Sequence, residues 1–432
     1  MEKLMVVFMS ANNSNRFSQI TIYFVILIFT FIVIFKGLSL QNIADDVYFS
    51  EALKNNNLLS FLMLRYNAWS GRTLIEAIMV STINFHLFWK LAIPASLLIM
   101  CHYVWKLTLS KHTSMYIGTI TVVFFMLLMS GSVAKDGEWW VTGFYNYLLP
   151  VSLGFFSFST VIHKGRSSTL VRSFAVIAAI VCCQQEQAAI ALIGGLSIVA
   201  VYRKSQGQPI GFELIILILS IISACFLFFA PGNYHRLQVE SRWLPEFPYM
   251  GLEEKLMLGL DRLNSHVHDA GNRIILLATV LTAIVTFNTN RAWSLKPLAL
   301  VILGIFAFNV LLNQEHLGHF SDKLGFAGFI SPNNWYHYKV FFSYTLTILL
   351  YLVLACCALY ISNNFKDILK SLGPLSLSVI LVMAVSLSPT VYASGARILY
   401  LPDVLLIIYS CFLLAKLLDQ LRNPDTALTS PN

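Results

Sequence analysis

The sequence predicts an all-α integral membrane protein, a polytopic bundle of about 12 transmembrane helices. Two observations carry the all-α membrane part. Of 432 residues, 57% are hydrophobic and 12% charged, whereas a soluble domain carries about 25% charged residues. The apolar residues also fall into many separate runs of about 15–22, the length that crosses about 30 Å of hydrocarbon as helix. Inside lipid the backbone has no water to bond, so helices satisfy it internally. Membrane barrels instead need alternating segments of about ten residues, and none stands out.

The expected crossings are 20–40, 87–108, 114–131, 147–163, 171–184, 187–202, 211–230, 273–289, 297–313, 341–361, 372–388 and 399–417. The first run, Ile20 to Leu40, is too long for a signal-peptide core and lacks a small-residue cleavage site behind it. It reads as the first membrane helix. The stretch 73–86 fits a short helix at the surface or dipping in. Segments 171–184 and 187–202 read as a tight hairpin.

Orientation follows from Lys and Arg. Lys106, Lys111, Lys164, Arg166, Arg172, Arg203, Lys204, Arg291, Lys296, Lys366, Lys370, Lys416 and Arg422 occupy one set of short loops nearly free of acids. The positive-inside rule makes these loops cytoplasmic, together with both termini. Longer loops lie opposite, at 41–72, 132–146, 231–272, 314–340 and 389–398, and hold most of the acids, His and Trp. Residues 1–422 thus read as a single transmembrane domain, followed by a disordered cytoplasmic tail at 423–432. The net charge of +8 sits mostly in the cytoplasmic loops. No basic stripe with interleaved aromatics points to nucleic acid. All seven Cys lie in apolar stretches, without a Cys-x-x-Cys spacing.

The polar residues that invite chemistry gather on the outer side. Asp45-Asp46 follows the first crossing. Adjacent carboxylates raise one another's proton affinity, which suits a general base, and they also suit a divalent cation such as Mg or Mn or the cap of a helix. Arg72, after Trp69, fits either a phosphate ligand or an interfacial anchor. Asp136 and Glu138 stand beside Trp139, Trp140 and Tyr145; aromatic faces pack on sugar C–H faces and carboxylates take hydroxyls, although an aromatic belt explains the rings equally well. Gln184-Gln185-Glu186-Gln187 places four polar residues where a turn would normally use Gly, Pro, Asn, Asp or Ser, and so marks Glu186 as a candidate. Arg236 follows the turn Pro231-Gly232-Asn233. Glu315 and His316, with His319 one helical turn on, lack a strong third metal ligand. Arg397 opens the final helix, so close to hydrocarbon that an anionic partner is expected.

This arrangement resembles the GT-C class of integral membrane glycosyltransferases, which place an acidic pair in the first outer loop, as Asp45-Asp46 stands here. Within the class it is most similar to the bacterial and phage serotype-converting O-antigen glucosyltransferases. The chain departs from many members in lacking a sizeable C-terminal outer domain, which larger members use for the acceptor. The resemblance implies transfer of a hexose, such as glucose, from a polyprenyl-phosphate donor to a glycan or lipid-linked glycan acceptor such as lipopolysaccharide O-antigen. It places the enzyme in the bacterial inner membrane, among membrane lipids, with its active face periplasmic. Asp45 or Asp46 would serve as base, and Arg72, Arg236 or Arg397 would face the leaving phosphate. No Gly-rich phosphate loop is present, in keeping with a lipid-linked donor rather than a nucleotide cofactor. A glycan polymerase or ligase and a transporter or flippase are the competing readings. Repeated halves and mid-membrane charges would mark a transporter, and no repeat is visible.

Overall fold

The computed structural model describes residues 13–41, 44–163, 165, 167–269, 271–312, 333–334 and 336–422. Every regular element among them is a helix. Most of the expected outer loop 314–340, with Glu315 and His316, lies outside the described residues, as does the tail 423–432.

The long first helix α1 (Asn13–Gly37) is followed by three short ones, α2 (Ala44–Glu51), α3 (Leu58–Ala68) and α4 (Thr73–Thr82). Asn57 caps α3 by accepting from the Ser60 amide at 2.8 Å. Next come α5 (His86–Thr108) and α6 (Met115–Met126), the latter capped by Ser114. Residues 132–146 were expected as an outer loop, yet the stretch 131–148 is helical and largely buried, with two wide turns at Lys135–Trp139 and Phe144–Leu148. The reason is steric: Gly137 lies flat on the Tyr400 ring, and a β-carbon at Gly143 would stand 2.0 Å from the Asp136 carbonyl. Such close backbone approach lets a polar segment pack as helix rather than lie as loop.

The chain continues through α7 (Leu149–Ile162), α8 (Thr169–Cys182), α9 (Glu186–Ser205), α10 (Gly211–Phe228), α11 (Pro231–Glu240) and α12 (Leu252–His268). The 231–272 region, expected as a loop with surface helices, holds α11 and α12, and Leu258, Leu263 and Val267 of α12 are buried. The remaining helices are α13 (Arg273–Asn288), α14 (Lys296–Leu312), α15 (Tyr338–Ile361), α16 (Phe365–Ala384) and α17 (Tyr400–Arg422).

Every expected crossing has a helix in it, but length separates them. Among the described residues six helices are long and apolar enough to span a membrane, or up to eight if each of two bent pairs is one span. Those pairs are Met115–Met126 with Gly131–Trp139, bent by 104°, and Leu252–His268 with Arg273–Asn288, bent by 79°. The segments Thr21–Gly37, Thr73–Thr82, Thr169–Cys182 and Lys296–Ala307 are apolar but shorter.

The last span is the axis of the bundle. Its apolar window is 94% buried, against 28% for that of Glu186–Ser205. Outer helices turn Phe24, Val25, Phe29, Ile215, Ile222 and Val301 outward, a surface that suits lipid and not water. The cation-rich loops meet at one end. Arg422 donates to the His112 carbonyl at 2.7 Å, Arg291 to that of Ser362 at 2.9 Å, and Lys416 pairs with Asp367 at 2.5 Å. The opposite end, at the start of α17, carries the candidate site.

Candidate functional site

The acidic pair divides. Asp45 and Asp46 open α2, where the helix dipole favours carboxylates. Asp46 is fully buried. Its Oδ2 accepts from the Gln41 amide at 2.9 Å, and its Oδ1 accepts from the Thr142 amide at 3.1 Å and the Thr142 hydroxyl at 2.5 Å. Asp45 is different: its side chain is 51% exposed and its Oδ2 lies 3.9 Å from Nη1 of Arg397. The two carboxylates thus serve different partners. Among the described residues no group of three or more His, Cys, Asp or Glu is placed to hold a metal ion.

Arg397 stands over Trp140, its guanidinium carbon 5.2 Å from the ring centroid. Its Nε is buried without a hydrogen-bond acceptor. Asp136 closes this corner, with Oδ2 3.3 Å from where a β-carbon would stand on Gly395. Gly395 has φ +68°, a left-handed conformation that suits glycine. Asp45, Asp136, Trp140 and Arg397 therefore stand around one turn, although they come from three distant parts of the chain.

A second group adjoins the first through residues 142–146. Asn146 donates to the Thr142 carbonyl at 2.9 Å and accepts from Nη1 of Arg72 at 2.9 Å. Arg72 grips Glu186 with both edges of its fork, Nη2 to Oε2 at 2.6 Å and Nε to Oε1 at 3.2 Å. Burial works against the Arg72 charge, but the Glu186 carboxylate outweighs it and holds the guanidinium pKa above the usual arginine value. Arg236 stands beside them, 5.7 Å from the Trp69 ring centroid. Burial, and then the Arg72 charge, push its pKa down. Two guanidiniums thus share this corner with Glu186, and the Glu240 carboxylate also acts on Arg236.

Close backbone contact sets this corner. A β-carbon on Gly71 would come 2.3 Å from the Leu227 carbonyl, and one on Gly232 would come 2.3 Å from the Trp69 amide. Only glycine lets the ends of α3 and α10 meet so closely, and that meeting brings Arg72 and Arg236 together. His235 adds a 2.9 Å contact from Nδ1 to the Ala68 carbonyl.

The polar turn before Glu186 is structural. Gln184 donates to the Ser223 hydroxyl at 2.9 Å, Gln185 caps α9 by accepting from the Ala188 amide at 2.6 Å, and Gln187 donates to the Ile398 carbonyl at 3.0 Å. Other sugar-site candidates turn away from the outer end. Tyr145 is buried and shares a 2.7 Å hydrogen bond with Thr82. Glu138 is buried with Oε1 unpartnered, and Trp139 packs against the core. Their position in an expected loop suggested exposure; the helical path of 131–148 removes it.

Several partners were invisible to sequence reading. Thr142 and Asn146 carry no motif, yet they join the two groups. Arg65 pairs with buried Glu76 at 2.7 and 2.8 Å and lies near the Tyr48, Phe49 and Trp69 rings. His266 meets Asp403 at 2.7 Å deep in the bundle, with Asn272 donating to the same carboxylate oxygen at 2.9 Å. No protein-family model matches this chain, and neither does any curated protein or solved structure.

Proposed function

We propose that this protein is a membrane glycosyltransferase of GT-C type, with twelve crossings and both termini cytoplasmic. It moves a hexose, glucose being the first to test, from a polyprenyl phosphate to a cell-surface glycan such as O-antigen at the periplasmic face. The observation that carries this reading is the joining of two groups at one end of the bundle. Asp45, exposed beside Arg397, supplies an accessible carboxylate. Arg72 and Arg236, around Glu186, supply positive charge for a leaving phosphate.

In this reading the Asp45 carboxylate takes the proton of an acceptor hydroxyl as its oxygen attacks the sugar's anomeric carbon. The bond from that carbon to the phosphate oxygen breaks. The electron pair leaves with the lipid phosphate, and Arg236 meets the charge that develops there. Asp46, saturated by three donors, positions α2 and takes no proton.

The test is transfer from a polyprenyl-phosphate glucose donor in membranes. Asp45→Asn should lower turnover by about 10²–10⁴, the span of a lost general base, while the protein keeps its elution profile and melting temperature. Full transfer by a well-folded Asp45→Asn variant sinks the assignment.

A transporter or flippase is the second reading, and the buried His266–Asp403 pair favours it, because ionisable groups inside a bundle often mark transport paths. Uptake into sealed vesicles that Asp403→Asn abolishes and Asp45→Asn spares would favour it over transfer.

A further inference from the structure

A second arginine faces the Gly395 turn from the opposite side. Arg262, on α12, donates from Nη2 to the Gly395 carbonyl at 3.1 Å. Its guanidinium carbon lies 5.9 Å from the Tyr392 ring centroid. Its immediate neighbour Asp261 accepts hydrogen bonds from the hydroxyls of Tyr344 and Tyr392. Like Arg397, Arg262 has a buried Nε without an acceptor among the described residues. Both guanidiniums therefore stand near aromatic rings, each with a buried Nε that lacks an acceptor among the described residues. Around the same turn stand the carboxylates of Asp45 and Asp136.

The chemistry of that ring is mixed. Planar guanidinium forks match carboxylate and phosphate oxygens. Free carboxylates repel a purely anionic ligand but accept hydrogen bonds from hydroxyls. A ligand that satisfies both carries an acidic group and several hydroxyls. We infer that Arg262 and Arg397 form a binding site for an acidic sugar, with the guanidiniums taking its acid group and Asp45 and Asp136 its hydroxyls. Resting on the transferase reading, this makes the acceptor an acidic glycan. The acid stands beside the accepting hydroxyl, so that the hydroxyl reaches Asp45. The site is separate from the Arg72–Arg236 corner assigned to the lipid phosphate.

The experiment measures binding without any donor, using the full chain in lipid nanodiscs. Three probes are compared: a trisaccharide with a central glucuronate, its methyl ester, and the same trisaccharide with glucose 6-phosphate at the centre. The free acid should bind about tenfold more tightly than the ester, the ratio that one charge-assisted hydrogen bond supplies. Arg262→Gln should reduce that preference below about threefold. Arg262→Lys, which keeps the charge without the fork, should retain part of it and serves as the folding control. The glucuronate and phosphate probes separate the two sources of acid: tighter binding of one names it. Equal binding of acid and ester by the native protein overturns the proposal, as does an undiminished preference in Arg262→Gln. Acid preference without any glucosyl transfer would leave this site standing and remove the transferase reading.

Discussion

Adjacent residues of one type have opposite duties in α2. Asp46 satisfies two backbone amides and a hydroxyl in a dry interior, whereas Asp45 faces the outer end. Asp46→Ala would orphan the Gln41 and Thr142 amides, and an unsatisfied buried donor costs about 1–3 kcal/mol each. It should lower the midpoint of chemical unfolding in detergent by a corresponding amount. Asp45→Ala should leave that midpoint within about 0.5 kcal/mol, because a long, exposed ion pair contributes little. Equal destabilisation by the two would contradict the division of labour. Arg72 illustrates the same point from the cationic side. Its bidentate hold on Glu186 fixes its place, while Arg236 stands beside it over the Trp69 ring.

Between elements, two devices hold the outer end together. The first is the glycine contact of Gly71 and Gly232 with 227–230 and 66–70. Gly232→Ala forces a shift of backbone against backbone, and overpacking of this kind costs about 1–3 kcal/mol. It should also separate Arg72 from Arg236 and depress transfer beyond its effect on stability. Gly304→Ala meets nothing within 4 Å and should leave transfer unchanged, which makes it the paired control. The second device is the Arg65–Glu76 pair, which ties α3 to α4, with side chains 11% and 3% exposed. Removing one partner of a buried pair costs about 3–5 kcal/mol. Glu76→Ala should therefore lower the melting temperature far more than Lys54→Ala, whose pair with Glu51 is largely exposed. A Glu76→Ala protein that melts with the native one would refute the tie.

Over the whole molecule, charge is sorted between two ends of a bundle. The α17 helix has 23 residues, and at 1.5 Å per residue it separates the ends by about 35 Å, a membrane's hydrocarbon and more. Its buried axis carries Asp403, held by His266 before and Asn272 after the bend between α12 and α13. The sorting makes a topological prediction. With exposed Cys225 and Cys356 replaced by Ser, Ala393→Cys should react with a membrane-impermeant maleimide added outside intact spheroplasts. Asn363→Cys, beside the cation-rich loops, should react only after lysis. The reverse pattern would invert the orientation and move the candidate site to the cytoplasm.

What the sequence by itself determined is the class of solvent and the sorting of Lys and Arg along the chain. A chain with 12% charged residues cannot cover a water-soluble surface, and its Lys and Arg collect in alternate loops. Both follow from composition along the chain, so both were legible without coordinates. Which of the candidate site residues meet was decided only by tertiary structure. Asp45 reaches Arg397, and Arg72 reaches Glu186, across long separations that no local periodicity encodes. The helical path of 131–148, which buries Tyr145 and Glu138 and aims Thr142 and Asn146 at the site, depends on Gly137 and Gly143 finding Tyr400 and Asp136. Where helices bend is likewise tertiary: among the described residues six are long and apolar enough to span, or up to eight if each bent pair is one span. Hydrophobicity acts on each segment alone, whereas close backbone contact and buried ion pairs exist only once segments pack.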